Sequence, residues 1–461
     1  ALRKRAVALL QGLSVPDRGI ALELIANLIH ADGGISPAEL QLQHELTAVV
    51  QKAARFGPNA KTIVEKKKSS PIVVEPAVWK DLVALTHPLL DPLEHTLSPH
   101  PVERQSQIEW DYRLLQAAML QWDRQRRTGN GRLAGITDIG QLPAGSRFLD
   151  QFVHVMRPSA PVELIVLGDL HGCYSCLKAA LLQTNFVERV WAHQWDPANH
   201  PDVKLVLLGD YIDRGRFSFD GVLRAALHLF VAMPDNVIVL RGNHEWWRWW
   251  QNNQISSAVY PAEGIASIAP YVPVEMLEAY RVLFESMPTS FLCERMMFVH
   301  AGIPRDDTFA ERYHDLSSLN DPEIRFQMMW SDPVQADSIP VDIQRQNPRF
   351  EFGRAQYAEF MKRAGMNVMV RGHEQIDAGF EVFYDLGEHV LLDLFSAGGH
   401  DNADLPIDSS YRTIRPMGLS IMHGEGTTPV ATPWPLHYQP FNYAPHNGLY
   451  RVQPVLEYRY L

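Results

Sequence analysis

The sequence predicts an α/β catalytic domain that follows an all-helical N-terminal segment. Three observations lead to this fold class. The part of the chain before about residue 130 contains amphipathic helical patterns. From about residue 150 onward, short apolar runs alternate with helical patterns, which is typical of an α/β core. Five of those runs end in polar residues that can bind a metal, and ligands of open α/β sheets collect at such strand ends.

The length and composition of the sequence limit the classes of protein to which it can belong. The chain has 461 residues, of which 46% are hydrophobic and 10% aromatic, so we expect a soluble protein with one large domain and an accessory piece. No apolar run approaches the roughly 18 residues of a membrane span. The net charge of -11 argues against general nucleic-acid binding. Three cysteines cannot form a disulfide framework, and we therefore expect a reducing, cytoplasmic location.

Two short helices are predicted near the N-terminus. Residues 20–29 have the apolar stripe of an amphipathic helix. Ser36 caps a second helix, with Pro37 in its first position and Glu39 reaching back to the cap. The connection at residues 31–35 is similar to half of an EF-hand loop but lacks the alternating oxygen ligands, so we interpret it as a glycine-built turn. These elements form a helical hairpin.

The accessory segment continues to a longer helix. Residues 55–71 have the composition of an exposed connector, and a helix is predicted from about residue 102 to residue 127. Residues 22–46 resemble the helical TerB-like domain of tellurite-resistance proteins. We therefore predict an all-α accessory domain at residues 1–140, with a protein partner, and a catalytic domain at residues 141–426.

The apolar runs of the catalytic segment share one kind of ending. Each is followed within a few positions by Asp, Asn or His, and solvation alone explains one such ending better than five. The runs are residues 164–167, 204–208, 236–240, 296–299 and 367–370, and they are followed by Asp169 and His171, Asp210, Asn243, His300 and His373. We expect these side chains to meet at one edge of the sheet.

The six side chains offer carboxylate, imidazole and amide ligands and no thiolate. Such a set suits manganese, iron or zinc at a catalytic site rather than a closed structural zinc site. Six ligands exceed the number that one ion with an open position needs. Two ions with Asp210 as the bridging carboxylate use all six ligands. Ions about 3.5 to 4 Å apart can activate a bridging water for in-line displacement at phosphorus.

Five short blocks resemble a known family. They are Gly-Asp-Leu-His-Gly at 168–172, Gly-Asp-Tyr-Ile-Asp-Arg-Gly at 209–215, Gly-Asn-His-Glu at 242–245, His-Ala-Gly at 300–302 and Arg-Gly-His at 371–373. These blocks are similar to the signatures of the phosphoprotein phosphatase family of calcineurin-like metallophosphoesterases, over roughly residues 160 to 400. The resemblance implies an α/β sandwich of two central mixed sheets flanked by helices.

The resemblance also implies residue roles. Asp169 and His171 would bind the first metal, Asp210 would bridge, and Asn243, His300 and His373 would bind the second. Arg214 would bind the phosphate, and His244, oriented by Asp213, would protonate the leaving oxygen. Physical chemistry agrees, because an arginine fork matches phosphate oxygens and a histidine beside a carboxylate is a common general acid.

The sequence departs from the family pattern in two places. The segment that should carry a second phosphate-binding arginine, residues 346–353, is shortened and lacks a glycine; we choose Arg349, with Arg345 as the alternative. The loop at residues 395–400 lacks the tyrosine that the family places near the site, which bears on binding of the family's toxin inhibitors. We also include Asn243, Arg371 and His400 among the expected substrate-binding residues.

The expected function is a binuclear-metal phosphomonoester hydrolase. The resemblance favours a bacterial-type protein Ser/Thr phosphatase that uses a metal-bridging hydroxide and acts on a phosphorylated protein or a small phosphorylated substrate. Two alternatives stay open: a dinucleoside polyphosphate or nucleotide hydrolase, and a non-catalytic scaffold. The first would gain support if the four tryptophans in residues 246–250 stacked a base, although we favour a helix that packs them on the sheet. Residues 427–461, rich in proline and aromatic residues, are predicted to form an irregular arm.

Overall fold

The computed structural model describes residues 70–250, 254–424 and 426–451. The chain separates into two compact units, residues 1–67 and residues 68–461, and every described residue belongs to the second unit. The helical hairpin, the TerB-like segment and nearly all of the connector predicted from the sequence lie outside the described residues.

Strands and helices alternate along the second unit. In the described ranges the strands are β1 (Val73–Val74), β2 (Arg147–Asp150), β3 (Val153–Met156), β4 (Val162–Leu167), β5 (Asp202–Leu207), β6 (Val237–Val239), β7 (Trp247–Trp249), β8 (Ile255–Ser257), β9 (Ser290–Cys293), β10 (Met296–Val299), β11 (Ser331–Pro333), β12 (Phe350–Phe352), β13 (Val368–Arg371), β14 (Phe380–Asp385), β15 (Val390–Leu394), β16 (Met417–His423) and β17 (Val430–Pro435). The helices are α1 (Pro101–Gly129), α2 (Tyr174–Gln183), α3 (Phe186–Trp195), α4 (Arg224–Ala232), α5 (Glu263–Ile268), α6 (Val274–Ser286), α7 (Asp306–Arg312), α8 (Pro322–Gln327), α9 (Val341–Gln344) and α10 (Arg354–Arg363). Among the described helices, none combines the length and the apolar character that crossing a membrane requires.

Two mixed sheets form the centre of the unit. The six-stranded sheet has the order β1-β17-β16-β4-β5-β6, and the seven-stranded sheet has the order β14-β15-β13-β10-β9-β3-β2. In the first sheet β4, β5 and β6 are parallel neighbours, and β16 joins β4 in antiparallel orientation. In the second sheet β10, β13 and β15 are parallel neighbours. The predicted sandwich of two mixed sheets flanked by helices is confirmed.

Strand β4 shows why these residues form a layered core. Its side chains alternate between two faces, as the period of a strand requires. Ile165 and Leu167 belong to the apolar cluster that includes helices α1 to α4 and α6, whereas Leu164 and Val166 belong to the cluster between the two sheets. Both faces of β4 are therefore buried, which explains the apolar run at residues 164–167. A third cluster joins the outer face of the second sheet to helices α7, α8 and α10.

Helix α1 belongs to the same compact unit as the sheets. Its bounds agree with the helix predicted at residues 102–127, and it packs against α4, α6 and β2. Asp111 on α1 accepts two hydrogen bonds from the buried Arg224 of α4, at 2.8 and 2.9 Å. The compact unit that begins at residue 68 therefore includes α1, and the domain bounds that we expected at residues 140 and 426 stay a prediction. Periodicity indicates that a helix has an apolar face but does not identify the surface that covers it.

The C-terminal segment differs from the expected irregular arm. Strand β17 pairs with β16 in antiparallel orientation and with β1 in parallel orientation. After β17, the side chains of Phe441 and Leu449 are buried in the apolar cluster that includes helices α1 to α4 and α6. The prolines and aromatic residues of this segment favour an irregular arm that lies over the catalytic domain. Only the two-residue strand β1 separates β17 from the edge of the sheet. Prolines are tolerated close to a sheet edge, so β17 accommodates Pro433 and Pro435.

The tryptophan-rich segment forms a hairpin rather than the helix that we favoured. Strands β7 and β8 pair in antiparallel orientation. The Trp247 ring is buried and lies 5.2 Å from the ring of Phe284. The Trp249 indole instead donates a hydrogen bond of 2.9 Å to Glu278. Because Trp247 and Trp249 are two positions apart on β7, they share one face of the strand, and strand alternation does not account for their different burial.

Candidate active site

The loops that follow five parallel strands meet at one end of the sandwich. Strands β4, β5 and β6 lead into the segments that carry Asp169, Asp210 and Asn243, and strands β10 and β13 lead into His300 and His373. An isolated bridge between Asp169 and Phe395 joins the ends of the two sheets. All six metal-ligand candidates from the sequence therefore lie in the same region, and all six are buried.

Two glycines allow the loops to approach so closely. A Cβ atom at Gly242 would overlap the carboxylate of Asp210, and a Cβ atom at Gly372 would overlap the carboxylate of Asp169. Any side chain at either position would push a ligand candidate away. This contact is a physical reason for the glycine that precedes Asn243 and the glycine that precedes His373.

The backbone is strained in the same loops. Eight non-glycine residues in the described ranges have positive φ, and five of them belong to the site: His171, Asp210, Asp213, Arg214 and His373. Residues in such conformations persist where the surrounding structure holds them, and they cluster at functional sites. The concentration of strain here supports a functional role for these loops.

The ligand candidates form two groups of three that share Asp210. The first comprises His171, Asp210 and His244, the second comprises Asp210, His300 and His373, and in each the candidate ligand atoms lie within 4.8 Å of one another. His171 Nε2 is 3.5 Å from a carboxylate oxygen of both Asp169 and Asp210. His300 Nε2 is 2.9 Å from Asn243 Oδ1 and 3.1 Å from His373 Nδ1.

These residues fit divalent metal ions. Among the described residues, neither Asp169 Oδ2 nor His373 Nε2 has a hydrogen-bond partner although both atoms are buried, and His373 Nε2 lies 3.7 Å from Asp332 Oδ1. Burial lowers the pKa of His300 to about 4, so the imidazole is held in the neutral form that binds metal. Burial and the neighbouring Asp169 raise the pKa of Asp210, which is the expected response of crowded carboxylates that lack a cation.

Asp213 orients His244. The Nδ1 atom of His244 lies 2.6 Å from Asp213 Oδ2, and the other carboxylate oxygen of Asp213 accepts a hydrogen bond from the backbone of Gly264. Donation from Nδ1 directs Nε2 toward the metal-ligand cluster, where it lies 3.8 Å from Asp210 Oδ2. Burial lowers the pKa of His244 to about 4, while the Asp213 carboxylate acts in the opposite direction. A phosphate dianion beside the ring would further favour the protonated form.

Two arginines border a cleft of about 830 Å³ that opens onto the cluster. Arg214 Nη1 is 2.8 Å from Glu263 Oε2, and Arg349 Nε is 2.5 Å from Asp332 Oδ2. Both guanidinium groups are thus held by a carboxylate while bordering the cleft. The alternative choice, Arg345, is absent from the cleft lining among the described residues and is bound to Asp307 instead.

Two expected substrate-binding residues do not border the cleft. Arg371 is fully buried and donates to Asp332, Glu374 and Asp393, so its charge is used inside the protein. His400 is exposed, and among the described residues its side chain is not part of the cleft lining. Both expectations came from their positions next to sequence blocks, and proximity in sequence did not place their side chains in the cleft.

Glu245 is a residue of the site that the sequence analysis quoted without a role. Its buried carboxylate accepts backbone hydrogen bonds from Asp210 and Tyr211 at 2.9 Å and from Gly242 at 3.0 Å. It therefore holds two ligand-bearing loops together. A charged residue directly after His244 was the available signal, since a buried carboxylate must find donors.

Tyr411 also went unnoticed. The loop at residues 395–400 lacks the tyrosine that the family places near the site, but the ring of Tyr411 lies 5.2 Å from the ring of His171 and borders the cleft. It stands on a short 3₁₀ helix, Ser410–Thr413, further along the chain. No local sequence signal connects that helix to the metal-ligand cluster.

Replacing Arg349 by alanine is expected to lower kcat/KM for a phosphoserine peptide by about 10- to 100-fold, because one charge-assisted hydrogen bond to phosphate is lost. Arg345→Ala is the matched control and should change kcat/KM less than about twofold, since Arg345 faces Asp307. Steady-state kinetics of both variants would measure the effect. Equal losses in the two variants would contradict the choice of Arg349.

Comparison with known proteins agrees with this geometry. The model of the family described as calcineurin-like phosphoesterase matches residues 162–377. A probable serine/threonine-protein phosphatase of Encephalitozoon cuniculi is 23% identical over 279 residues, which cover 60% of this chain and 55% of that protein. The matched region thus spans about half the length of that relative.

Solved structures are similar to the chain at low sequence identity. A protein serine/threonine phosphatase from Saccharomyces cerevisiae has a TM-score of 0.42 at 17% identity, with 71% of this chain and 89% of that chain covered. A cold-active protein-tyrosine phosphatase of a psychrophilic Shewanella species has a TM-score of 0.35 at 16% identity, with 65% and 87% covered.

Proposed function

Because residues 162–377 match the model of the calcineurin-like phosphoesterase family, we propose that the protein is a binuclear-metal phosphomonoesterase acting on phosphoserine and phosphothreonine in proteins. One observation carries the proposal. Two groups of side chains that could hold a metal ion share Asp210 and lie at the base of the cleft that Arg214 and Arg349 border; the first includes His244, to which we assign proton donation rather than metal binding. Metal charge, phosphate-binding arginines and a candidate proton donor, His244, are the components that phosphate ester hydrolysis requires.

We propose that six residues hold the metal ions. They are Asp169, His171, Asp210, Asn243, His300 and His373. Two divalent ions held there, with manganese our first expectation and iron or zinc the alternatives, would neutralise phosphate charge and lower the pKa of a coordinated water. The absence of thiolates from the set favours these hard or borderline ions over a structural zinc.

The protein's own side chains perform two further tasks. Arg214 and Arg349 would each donate to phosphate oxygens, and their carboxylate partners Glu263 and Asp332 keep the guanidinium groups at the cleft before substrate arrives. His244 would deliver a proton from Nε2 to the leaving oxygen while Asp213 accepts from Nδ1. The alkoxide of serine is a poor leaving group, so this proton transfer matters most for phosphoserine and phosphothreonine substrates.

The nucleotide-hydrolase alternative loses the observation that supported it. Trp246, Trp247, Trp249 and Trp250 are all absent from the described lining of the cleft. Trp247 packs inside the core, and Trp249 and Trp250 stand on the β7–β8 hairpin. We therefore advance no second function.

Location and partners complete the proposal. The three cysteines, Cys173, Cys176 and Cys293, are free and buried, which supports the cytoplasmic location that we propose. The net charge of -11 supports a substrate other than nucleic acid. We further propose that the helical accessory domain predicted at residues 1–140 binds a protein partner.

Removal of metal tests the proposed function. Protein treated with a chelator should lose hydrolysis of a phosphoserine peptide and regain it when Mn²⁺ is added, because the proposed metal ions would lower the pKa of the attacking water, which the two arginines do not do. Release of inorganic phosphate measures the reaction. Hydrolysis that persists in chelator would contradict the metal requirement, and a failure to hydrolyse any phosphomonoester with Mn²⁺ supplied would overturn the function.

A further inference from the structure

The cleft is larger than a phosphate group requires. The cleft has a volume of about 830 Å³ and lies above the metal-ligand cluster. Beyond the arginines its wall is formed by three segments: residues 258–263, residues 373–375 and residues 406–411. A phosphorylated side chain would occupy only the base. The remaining wall is therefore available to contact the residues on either side of the phosphorylated one.

The wall beyond the arginines is acidic. Glu263, Glu374 and Asp408 border the cleft. Glu263 is paired with Arg214, and Glu374 is paired at 2.7 Å with the buried Arg371. The charges of these two carboxylates are thus partly balanced within the protein.

Asp408 differs from the other two carboxylates. It is exposed, and no Lys, Arg or His side chain of the described residues lies within ion-pair distance of it. Arg412, on the same segment, donates to the carbonyl oxygens of His400, Leu405 and Pro406 rather than to Asp408. Asp408 is therefore an exposed acidic group of the cleft lining without an ion-pair partner among the described residues.

An exposed aromatic side chain also belongs to the cleft lining. Tyr260 borders the cleft and is 92% exposed, although tyrosine side chains ordinarily bury much of the ring. Its ring is free to cover an apolar or extended stretch of a bound chain. A small phosphate ester bound at the base of the cleft would not also reach Tyr260. A bound peptide would reach both and would have a larger contact area.

We propose that Asp408 selects phosphoproteins that carry a lysine or arginine beside the phosphorylated residue, with Tyr260 covering the adjacent peptide chain. This inference rests on the proposed function and specifies its substrate class. The same charge acts against nucleotides and dinucleoside polyphosphates, because several phosphate charges would have to enter past Asp408 and Glu374. Specificity therefore comes from the wall of the cleft, whereas catalysis comes from its base.

Two phosphoserine peptides that differ at one flanking position test the proposal. One carries lysine beside the phosphoserine and the other carries glutamine, and an aryl phosphate reports catalysis without a flanking residue. The wild-type protein should hydrolyse the lysine peptide with a kcat/KM about 3- to 10-fold higher. The preference should fall in about 1 M salt, where the Debye length is about 3 Å.

Variants assign the preference to its residue. Asp408→Asn should reduce the ratio of the two peptide kcat/KM values to about 1, and Asp408→Lys should invert it. Asp342→Asn is the matched control, because Asp342 is 94% exposed and is not among the described residues that line the cleft. Tyr260→Ala should lower kcat/KM for both peptides while leaving their ratio unchanged.

The outcomes separate the two proposals. If neither the peptides nor the aryl phosphate are hydrolysed with Mn²⁺ supplied, the proposed function fails, and the inference fails with it. If all three substrates are hydrolysed but Asp408→Asn keeps the preference for lysine, or the wild type shows none, the inference alone fails. Faster hydrolysis of a dinucleoside polyphosphate than of the lysine peptide would also overturn it.

Discussion

Replacing Asp210 with asparagine is expected to lower kcat/KM for an aryl phosphate by about 1000-fold or more. Asp210 is the one residue common to both groups of metal ligands, so the change weakens both. The several kcal/mol of transition-state stabilisation that metal ions supply corresponds to a factor of this size. The expected companion result is a lower content of bound manganese, measured by elemental analysis after dialysis.

A second buried aspartate provides the control. Asp150 is also buried and accepts backbone hydrogen bonds from Gly131 and Leu133, far from the cleft lining. Asp150→Asn should retain metal and activity even if it lowers the melting temperature. An Asp210→Asn protein within about tenfold of the wild-type rate, with its full metal content, would show that Asp210 does not hold the ions.

Replacing His244 with alanine is expected to lower hydrolysis of a phosphoserine peptide by about 100- to 10,000-fold, the usual contribution of a general acid. The loss should be much smaller for an aryl phosphate with an acidic phenol, because that leaving group departs without a proton. Asp213→Asn should show the same pattern to a lesser degree, since Asp213 acts through the orientation of His244.

The difference between the two substrates is the informative measurement. A purely structural role for His244 would reduce both reactions equally, and that result would contradict proton donation. His193→Ala serves as a control, since the His193 ring is exposed and bonds only to the carbonyl oxygen of His200 among the described residues. Its rates should match those of the wild type for both substrates.

The sequence was most informative where a strand and its ligand are adjacent. Asp169 and His171 follow β4 directly, and Asp210 follows β5, so the apolar run predicts both the strand and the place where its ligand emerges. The two-sheet sandwich came from the family resemblance and is confirmed. Local order of residues determines these features, and that order can be read without knowing the rest of the fold.

Features that depend on distant segments were not predictable in the same way. Tyr411 reaches the site from a loop that is separated from His171 by more than half of the catalytic domain. Arg371 resembles a site residue in sequence, but Asp332 and Asp393, which bury its charge, lie on other strands. Helix α1 has an apolar face whose partner, including Arg224, is defined only by the tertiary structure. Such contacts are set by packing rather than by local periodicity.

The strand order of the six-stranded sheet has a consequence for how the protein is made. Strand β4 pairs on one side with β5, a near neighbour in sequence, and on the other side with β16, which begins at Met417. During synthesis from the N-terminus, one edge of β4 therefore stays unpaired until most of the chain has left the ribosome. Such long-range pairing slows folding and exposes an aggregation-prone edge. The strand that leads to Asp169 and His171 is thus open to aggregation during biosynthesis until β16 pairs with it.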